Sequence, residues 1–527
     1  MFTIALLVGI YSYLIFSLGL LGFLYKPTVV LLTIILISLS AFSLKKNLKI
    51  YDFKSKLISF IKKSTKLELI LLAMLTIQGI VNLIGTLGPE LGFDALWYHL
   101  TLPKIYLTNH FIDYIPGGLF YYSAMPKLAE MLYISALSFG TETIAKLVHF
   151  SFGILSLVAL YSLSRKFLSK TFSLSVIVLF YSNLVVGWMS ITAYIDLSRT
   201  FFEIMALWGF VEWQQSKKSK WLIESAIMLG LAISTKLLAI SSLFIFTILI
   251  VFFAINKQKI RWRAIFTNIL VYWWFALLIP LPWFVFSLVH TGNPVHPFFT
   301  NAYPVKFNFN LINPLNLPDP ISPLYVISLP LAIFFYRKLK PALKIILLYS
   351  FFAVAVWYLT PQSGEGRFIL PYLAALSLVS VAIIEMMRKN KLQKVFLGLI
   401  IFLSLFSIFY RGIANSKYVP VILGMQSKSQ FLENHLNFSF GDFYDTDEYF
   451  ERKIKKEDTV LLYGFHNLYY VNFPFIDSSY VKKGDMFSYI AVQGDNLPER
   501  FKFWNLIYYN DKTNVKVYSA GGLKWVY

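Results

Sequence analysis

Gly92-Phe-Asp-Ala-Leu-Trp-Tyr-His99 sets an acid, a run of aromatics and a histidine just past the end of an apolar stretch, about Leu67 to Leu87. A stretch of that length crosses a bilayer once. The carboxylate and the imidazole therefore meet the membrane–water interface, where they are not buried in lipid. The preceding loop says which side they face. Lys45, Lys46, Lys49, Lys54, Lys56, Lys62, Lys63 and Lys66 stand there against the single acid Asp52. Cytoplasmic loops carry such an excess of cations, so one crossing later Asp94 is expected outside the cytoplasm.

Composition agrees. Of 527 residues, 57% are hydrophobic and only 14% charged, with a mean hydropathy of +0.62; soluble domains carry about 25% charged residues. Too few polar side chains remain to cover a soluble body of this size, so the apolar excess faces lipid. The formal charge of +21 sits in short clusters between apolar runs, the pattern of loops facing anionic lipid rather than nucleic acid. There is no cysteine, which removes disulfides, thiolate catalysis and cysteine-based zinc sites and fits a prokaryotic plasma-membrane protein. Residues 2–24 lack a basic leader and a small-residue cleavage site, and read as an uncleaved span.

Further apolar runs lie near 2–24, 28–44, 67–87, 141–163, 171–190, 198–215, 221–236, 237–254, 264–287, 322–336, 341–359, 367–387 and 393–411. The basic clusters Arg165-Lys166, Lys217-Lys218, Lys257 to Arg263, Arg337 to Lys344 and Arg388 to Lys394 all fall inside if about 13 spans start from a cytoplasmic N-terminus. That topology leaves residues 88–140, the turn at Asp196, residues 288–321 and 360–366, and the tail 412–527 outside. The expected organisation is an N-terminal pair of spans with its basic loop (1–66), a transmembrane module (67–411) and a small α/β domain (412–527). In that tail a helix is expected near Ser427–His435, a strand at Thr459–Tyr463, and a closing hairpin pairing 515–519 with 523–527 across Gly521-Gly522. Trp97–Asn109 and Phe120–Leu137 read as interfacial helices, with Trp97, Tyr98, Tyr106, Tyr121 and Tyr122 at headgroup depth and Pro103 near a helix start.

Asp94 is the first candidate for chemistry: a general base, or simply an N-cap for the apolar run that follows. Glu90 would share a helical face with it, as a second acid or metal ligand, or as a solvated side chain. His99 reads as a donor to a phosphate or sugar oxygen or as a backbone-bonded interfacial histidine. Lys104 is either a substrate contact or a lysine snorkelling to headgroups. Lys236, in Gly230-Leu-Ala-Ile-Ser-Thr-Lys236, and Arg367, in Gly364-Glu-Gly-Arg367, are cations at span ends. Such groups bind a lipid phosphate or anchor a helix, and Glu365 is a rival partner for Arg367. Mutual pairing accounts for Asp196 and Arg199, and loop shaping for His296. No glycine-rich nucleotide loop, Walker motif or zinc signature occurs. No cofactor is demanded, although a divalent metal is compatible with the acids.

These residues resemble the GT-C superfamily of polytopic glycosyltransferases, within it the family 39-like group of protein O-mannosyltransferases and lipid A aminoarabinose transferases. The likeness rests on Phe93-Asp-Ala-Leu-Trp-Tyr-His-Leu-Thr-Leu-Pro103, Tyr121-Tyr-Ser-Ala-Met-Pro-Lys-Leu128, Thr235-Lys236, Gly292-Asn-Pro294, and Arg367 with Pro371, spread over roughly 67–411. It implies inverting transfer of a sugar from a polyprenyl-phosphate donor, with Asp94 as the family's catalytic acid position and Lys236 and Arg367 at the donor phosphate. Two departures stand out: Ala95 follows Asp94 where the family often has a second acid, and Ser123–Leu128 lacks the usual histidine.

The expectation is thus a multi-pass membrane enzyme acting on a lipid, glycan or protein acceptor. His99, Tyr98 and neighbouring aromatics would orient the substrates. The rival class is a transporter or flippase of lipid-linked sugars, which would place ionisable groups at the bilayer midplane and show internal repeats.

Overall fold

A computed structural model describes residues 1–47, 55, 58–255, 262–301, 321–359, 365–387, 391–521 and 524–527; the side chain of Glu365 lies outside the described set, and with it the Glu365–Arg367 pairing. Every apolar run forms helix, and the local chemistry marks the boundaries. Thr65 and Glu68 close a reciprocal capping box that starts Lys66–Leu87. Pro103 falls in the first turn of Thr101–Asn109, where its missing N–H costs nothing. Lys236 adopts an extended backbone that separates Ser219–Thr235 from the next turn of helix.

Not every apolar run yields a helix of full spanning length. Among the described residues, seven helices are long and apolar enough to span, or eight if the bent pair Trp262–Leu278 and Leu281–Thr291 counts as one. The remaining runs are short, as Lys170–Tyr181 is, or charged, as Asp196–Ser216 is with Asp196, Arg199, Glu203 and Glu212. Lys170–Tyr181 and Asp196–Ser216 are buried along most of their length inside the bundle, whereas Lys26–Asn47 and Leu324–Phe335 keep apolar side chains such as Ile37 and Phe334 exposed. Gly366–Met386 is the central helix, with 89% of its apolar window buried against 28% for Lys66–Leu87 and Lys391–Ser416. The chain is an integral membrane protein.

The bundle has two distinct ends. Lys166, Lys217 and Lys340 line one cavity at the first, and Lys170 pairs with Glu68 (3.2 Å) at the same end. Leu87, Asp94, Asp196, Lys236 and Arg367 belong to helix ends at the other. At that second end the two segments expected to lie flat at the interface differ from that picture. Trp97–Asn109 is split into a π-helical turn, Ala95–His99, and Thr101–Asn109. Phe120–Leu137 is a short turn followed by Leu128–Phe139, which is buried on nearly all sides.

The tail forms the expected α/β domain. Ser427 and Gln430 make a second capping box for Lys428–His435. The strands are β1 Val460–Tyr463, β2 Phe475–Asp477, β3 Met486–Phe487, β4 Tyr489–Gln493, β5 Asn505–Asn510, β6 Val515–Ser519 and β7 Trp525–Val526. The main sheet runs β2-β1-β4-β6-β5, with β1 parallel to both neighbours and the rest antiparallel. The expected closing hairpin does not form. β6 pairs with β4 and β5, whereas β7 joins β3 in a separate two-stranded ribbon. β6 has buried alternate residues (Val515, Val517, Ser519) and is claimed by the core on both edges.

Candidate functional site

Asp94, Lys236 and Arg367 converge from three segments on one cavity of about 390 Å³, which His99, Tyr98, Lys127 and Glu130 also line. Arg367 Nη1 lies 2.7 Å from Asp94 Oδ2, and its Nε lies 3.2 Å from Asp196 Oδ2. Lys236 Nζ donates to Asp196 Oδ1 at 2.6 Å. The two cations therefore share one acid and hold a second. Around them, the Tyr98 hydroxyl donates to Asp94 Oδ2 (3.2 Å), and the Asp94 backbone N–H donates to the Tyr194 hydroxyl (3.1 Å). The Arg367 guanidinium lies 4.7 Å from the Tyr194 ring centre, and Lys236 5.3 Å from that of Phe368.

The N-cap reading of Asp94 does not hold. The residue precedes the π-helical turn, but its side chain makes no capping bond and is given to Arg367 instead. Burial alone would push this carboxyl up. Arg367, with smaller help from His99 and Lys236, more than reverses that and holds it below the usual carboxylate range.

His99 is buried and its Nδ1 lies 2.9 Å from Glu130 Oε1. Nε2 of His99 and Oε2 of Glu130 are buried with no hydrogen-bond partner among the described residues. Burial lowers the His99 pKa, with Glu130 opposing, which favours the neutral ring. Lys127 Nζ, 3.8 Å from Glu130 and 5.6 Å from the Tyr98 ring centre, completes the wall. Lys127, Glu130 and Asp196 are the members that sequence reasoning did not select. The signal for Lys127 was its place in Tyr121–Leu128; Glu130 sits three residues on, in a run that reads as ordinary apolar helix.

Two other candidates are elsewhere. Lys104 does not line this cavity: its ammonium donates to the carbonyls of Tyr469 and Val471 (both 2.7 Å) and to Asn472 Oδ1 (2.8 Å). Burial pulls its pKa down to about 8. It ties the tail domain to the Asp94 segment. Glu90 shares no helical face with Asp94, because residues 89–92 are not helical. Its carboxylate accepts the backbone N–H groups of Leu91 (2.9 Å), Gly92 (2.7 Å) and Ala193 (2.6 Å), pinning two loops together. Asp196 and Arg199 are not a closed pair either. Asp196 serves Lys236 and Arg367, and Arg199 turns to Glu203 (3.3 Å) and the Tyr372 hydroxyl (2.9 Å) deeper in the bundle. Pro297 and Phe298, next to His296, line the cavity. Among the described residues no three His, Asp or Glu side chains gather as a metal site.

The tail domain closes over the same segment. His466 stacks on Phe93 (4.8 Å between centres) and lies 4.2 Å from the Trp97 ring. The Tyr469 N–H donates to the Leu96 carbonyl (3.2 Å). The Tyr470 hydroxyl accepts from the Glu90 N–H (3.1 Å), with the Glu90 carbonyl (3.0 Å) and Glu142 Oε1 (3.3 Å) as alternative acceptors for its proton.

No protein-family model and no curated protein sequence matches the chain. Solved structures do. ArnT from Cupriavidus metallidurans in the apo state superposes with a TM-score of 0.55 at 11% identity, over 85% of this chain and 97% of that one. The same protein bound to undecaprenyl phosphate gives 0.54 at 12% identity, over 86% and 97%. At that identity the likeness establishes a common fold.

Proposed function

We infer that this chain, which has the GT-C fold of polytopic membrane glycosyltransferases, transfers a monosaccharide from a polyprenyl-phosphate donor to a lipid, glycan or protein acceptor on the extracytoplasmic face. The observation that carries this reading is the cavity in which Asp94 faces Lys236 and Arg367 at one end of the bundle. The structural relative bound to undecaprenyl phosphate supports a donor of that class.

The chemistry follows from the charges. In the acceptor-attack step a hydroxyl or amine bonds to the anomeric carbon, the bond to the phosphate oxygen breaks with inversion, and the phosphate keeps the electron pair. The phosphate gains negative charge as it leaves, which preorganised cations stabilise. Lys236, Arg367 and Lys127 are placed for that role. The acceptor's proton goes to the Asp94 carboxylate.

Among the described residues, three carboxylates (Asp94, Glu130, Asp196) balance three cations (Lys127, Lys236, Arg367). A donor phosphodiester brings an extra negative charge and competes with Asp94 for Arg367. Loosening that pair restores basicity to Asp94 when the donor is in place. Tyr98 and Nε2 of His99, which has no partner among the described residues, are among the polar groups that line the cavity and would orient sugar and acceptor.

The test is mass-resolved transfer in nanodiscs, offering a panel of polyprenyl-phosphate sugars to membrane-extract acceptors. Sugar appearing on an acceptor supports the enzyme and identifies both substrates. Movement of labelled lipid-sugar across the bilayer without any transfer would replace this reading with a transporter.

A further inference from the structure

At the far end of the bundle from Asp94, a cavity of about 860 Å³ opens where Glu142–Ser164 and Asp196–Ser216 end and Pro341–Leu359 begins. Its polar lining is Lys166, Gln214, Gln215, Lys217 and Lys340, with no carboxylate among the described residues. The neighbouring acid, Glu212, is already engaged: Oε1 pairs with Lys166 and accepts the Trp208 indole N–H at 3.0 Å. Lys340 donates to the Phe167 carbonyl at 3.0 Å, a neutral acceptor that leaves its charge without a counter-ion among the described residues. Lys217, which donates to Gln214 at 2.6 Å, adds to the positive floor.

One wall is different. Phe253, Ala342 and Ile345 make it apolar, and the helices that carry it turn large apolar side chains outward. Ile248 and Ile255 are 44% exposed and Phe351 64%, as expected of surfaces that face acyl chains. A free inorganic anion would use the cationic floor and leave the apolar wall unmatched. A phospholipid matches both, because its phosphate and its chain are joined at the depth where floor meets wall.

We propose that this cavity binds an anionic phospholipid, its headgroup phosphate on Lys217 and Lys340 and its acyl chain along Phe253 and Ile345. The site is independent of the transfer reaction at Asp94, and its test does not depend on any activity. Purified full-length protein would be placed in phosphatidylcholine nanodiscs doped with phosphatidylglycerol, and retained lipid counted by native mass spectrometry. Wild type should retain phosphatidylglycerol in preference to phosphatidylcholine. At about 1 kcal/mol for each lysine near anionic lipid, Lys217→Gln with Lys340→Gln should weaken retention about 25-fold. Lys220→Gln, at an exposed lysine paired with Glu224, should leave it unchanged, and Lys340→Arg should preserve it.

Equal retention by wild type and a double variant with an unchanged melting temperature would overturn the proposal. So would displacement of phosphatidylglycerol by millimolar inorganic phosphate, which would mark a free-anion site. If the double variant melts early, the single variants give the same comparison at about fivefold each.

Discussion

Replacing Asp94 by asparagine separates a base from an anchor, because the structure predicts different sizes for the two losses. Asparagine keeps the shape, can still accept the Tyr98 hydroxyl through Oδ1, and leaves the backbone bond to Tyr194 untouched. Arg367, which shares that acceptor oxygen with Tyr98, loses the carboxylate charge at 2.7 Å but retains Asp196 at 3.2 Å, so no buried cation is orphaned. The stability cost is therefore that of one charge-assisted hydrogen bond, about 1.5–3 kcal/mol. The catalytic cost is that of a positioned general base, about 10²–10⁴ in turnover, equivalent to about 2.7–5.5 kcal/mol of barrier. Because the amide no longer competes for Arg367, donor affinity should stay level or rise. The assay is single-turnover transfer with saturating donor, read beside donor binding and thermal unfolding in the same detergent. Turnover within about threefold of wild type, on folded protein that binds donor, would refute the role of Asp94 as base.

Tyr470→Phe removes the hydroxyl that joins Glu90 to the tail domain and should cost about 1–3 kcal/mol, since it strands the buried Glu90 N–H. It should lower kcat more than it raises the donor KM, and kinetics with thermal unfolding would check both. Lys104→Met deletes three bonds to residues 469–472. Faster hydrogen exchange across 465–473 with little change in donor KM is expected, whereas a large KM effect alone would place Lys104 at the donor after all. His99, whose native pKa is depressed by burial, favours the neutral ring in the folded state. Stability should therefore fall as pH drops from about 6.5 toward the native value, because the unfolded chain takes up a proton that the native state does not. Unfolding midpoints of wild type and His99→Asn between pH 5 and 8 would show the slope in wild type and flatten it in the variant.

Much of the helical plan was legible locally. Lipid cannot satisfy a bare backbone, so an apolar run must form helix, and runs such as Leu67–Leu87 and 393–411 declare themselves in hydropathy alone. The helix at 428–435 and the strand at 460–463 were legible for the same reason, since capping residues and apolar β-formers act over a few positions. Asp94, Lys236 and Arg367 could be selected because charges beside apolar runs are conspicuous. The same signal also selects Lys104 and Glu90, which lie outside the cavity those three line: one fastens the tail domain and the other pins a loop. Neither hydropathy nor spacing distinguishes a cation that faces a cavity from one that faces a carbonyl.

Other features depended on contacts distant in sequence. The partners of β6 were settled by β4 and β5, because a two-residue strand such as β7 adds too little pairing to outbid a buried neighbour. The charged helix Asp196–Ser216 packs within the bundle because other helices, not lipid, satisfy its polar face. From sequence alone came a membrane bundle with one chemically distinct end, since hydropathy and charge are properties of consecutive residues. Which acid meets which cation was decided only by the tertiary structure: Asp94, Asp196, Lys236 and Arg367 lie on segments up to 273 positions apart, and an ion pair depends on separation in space.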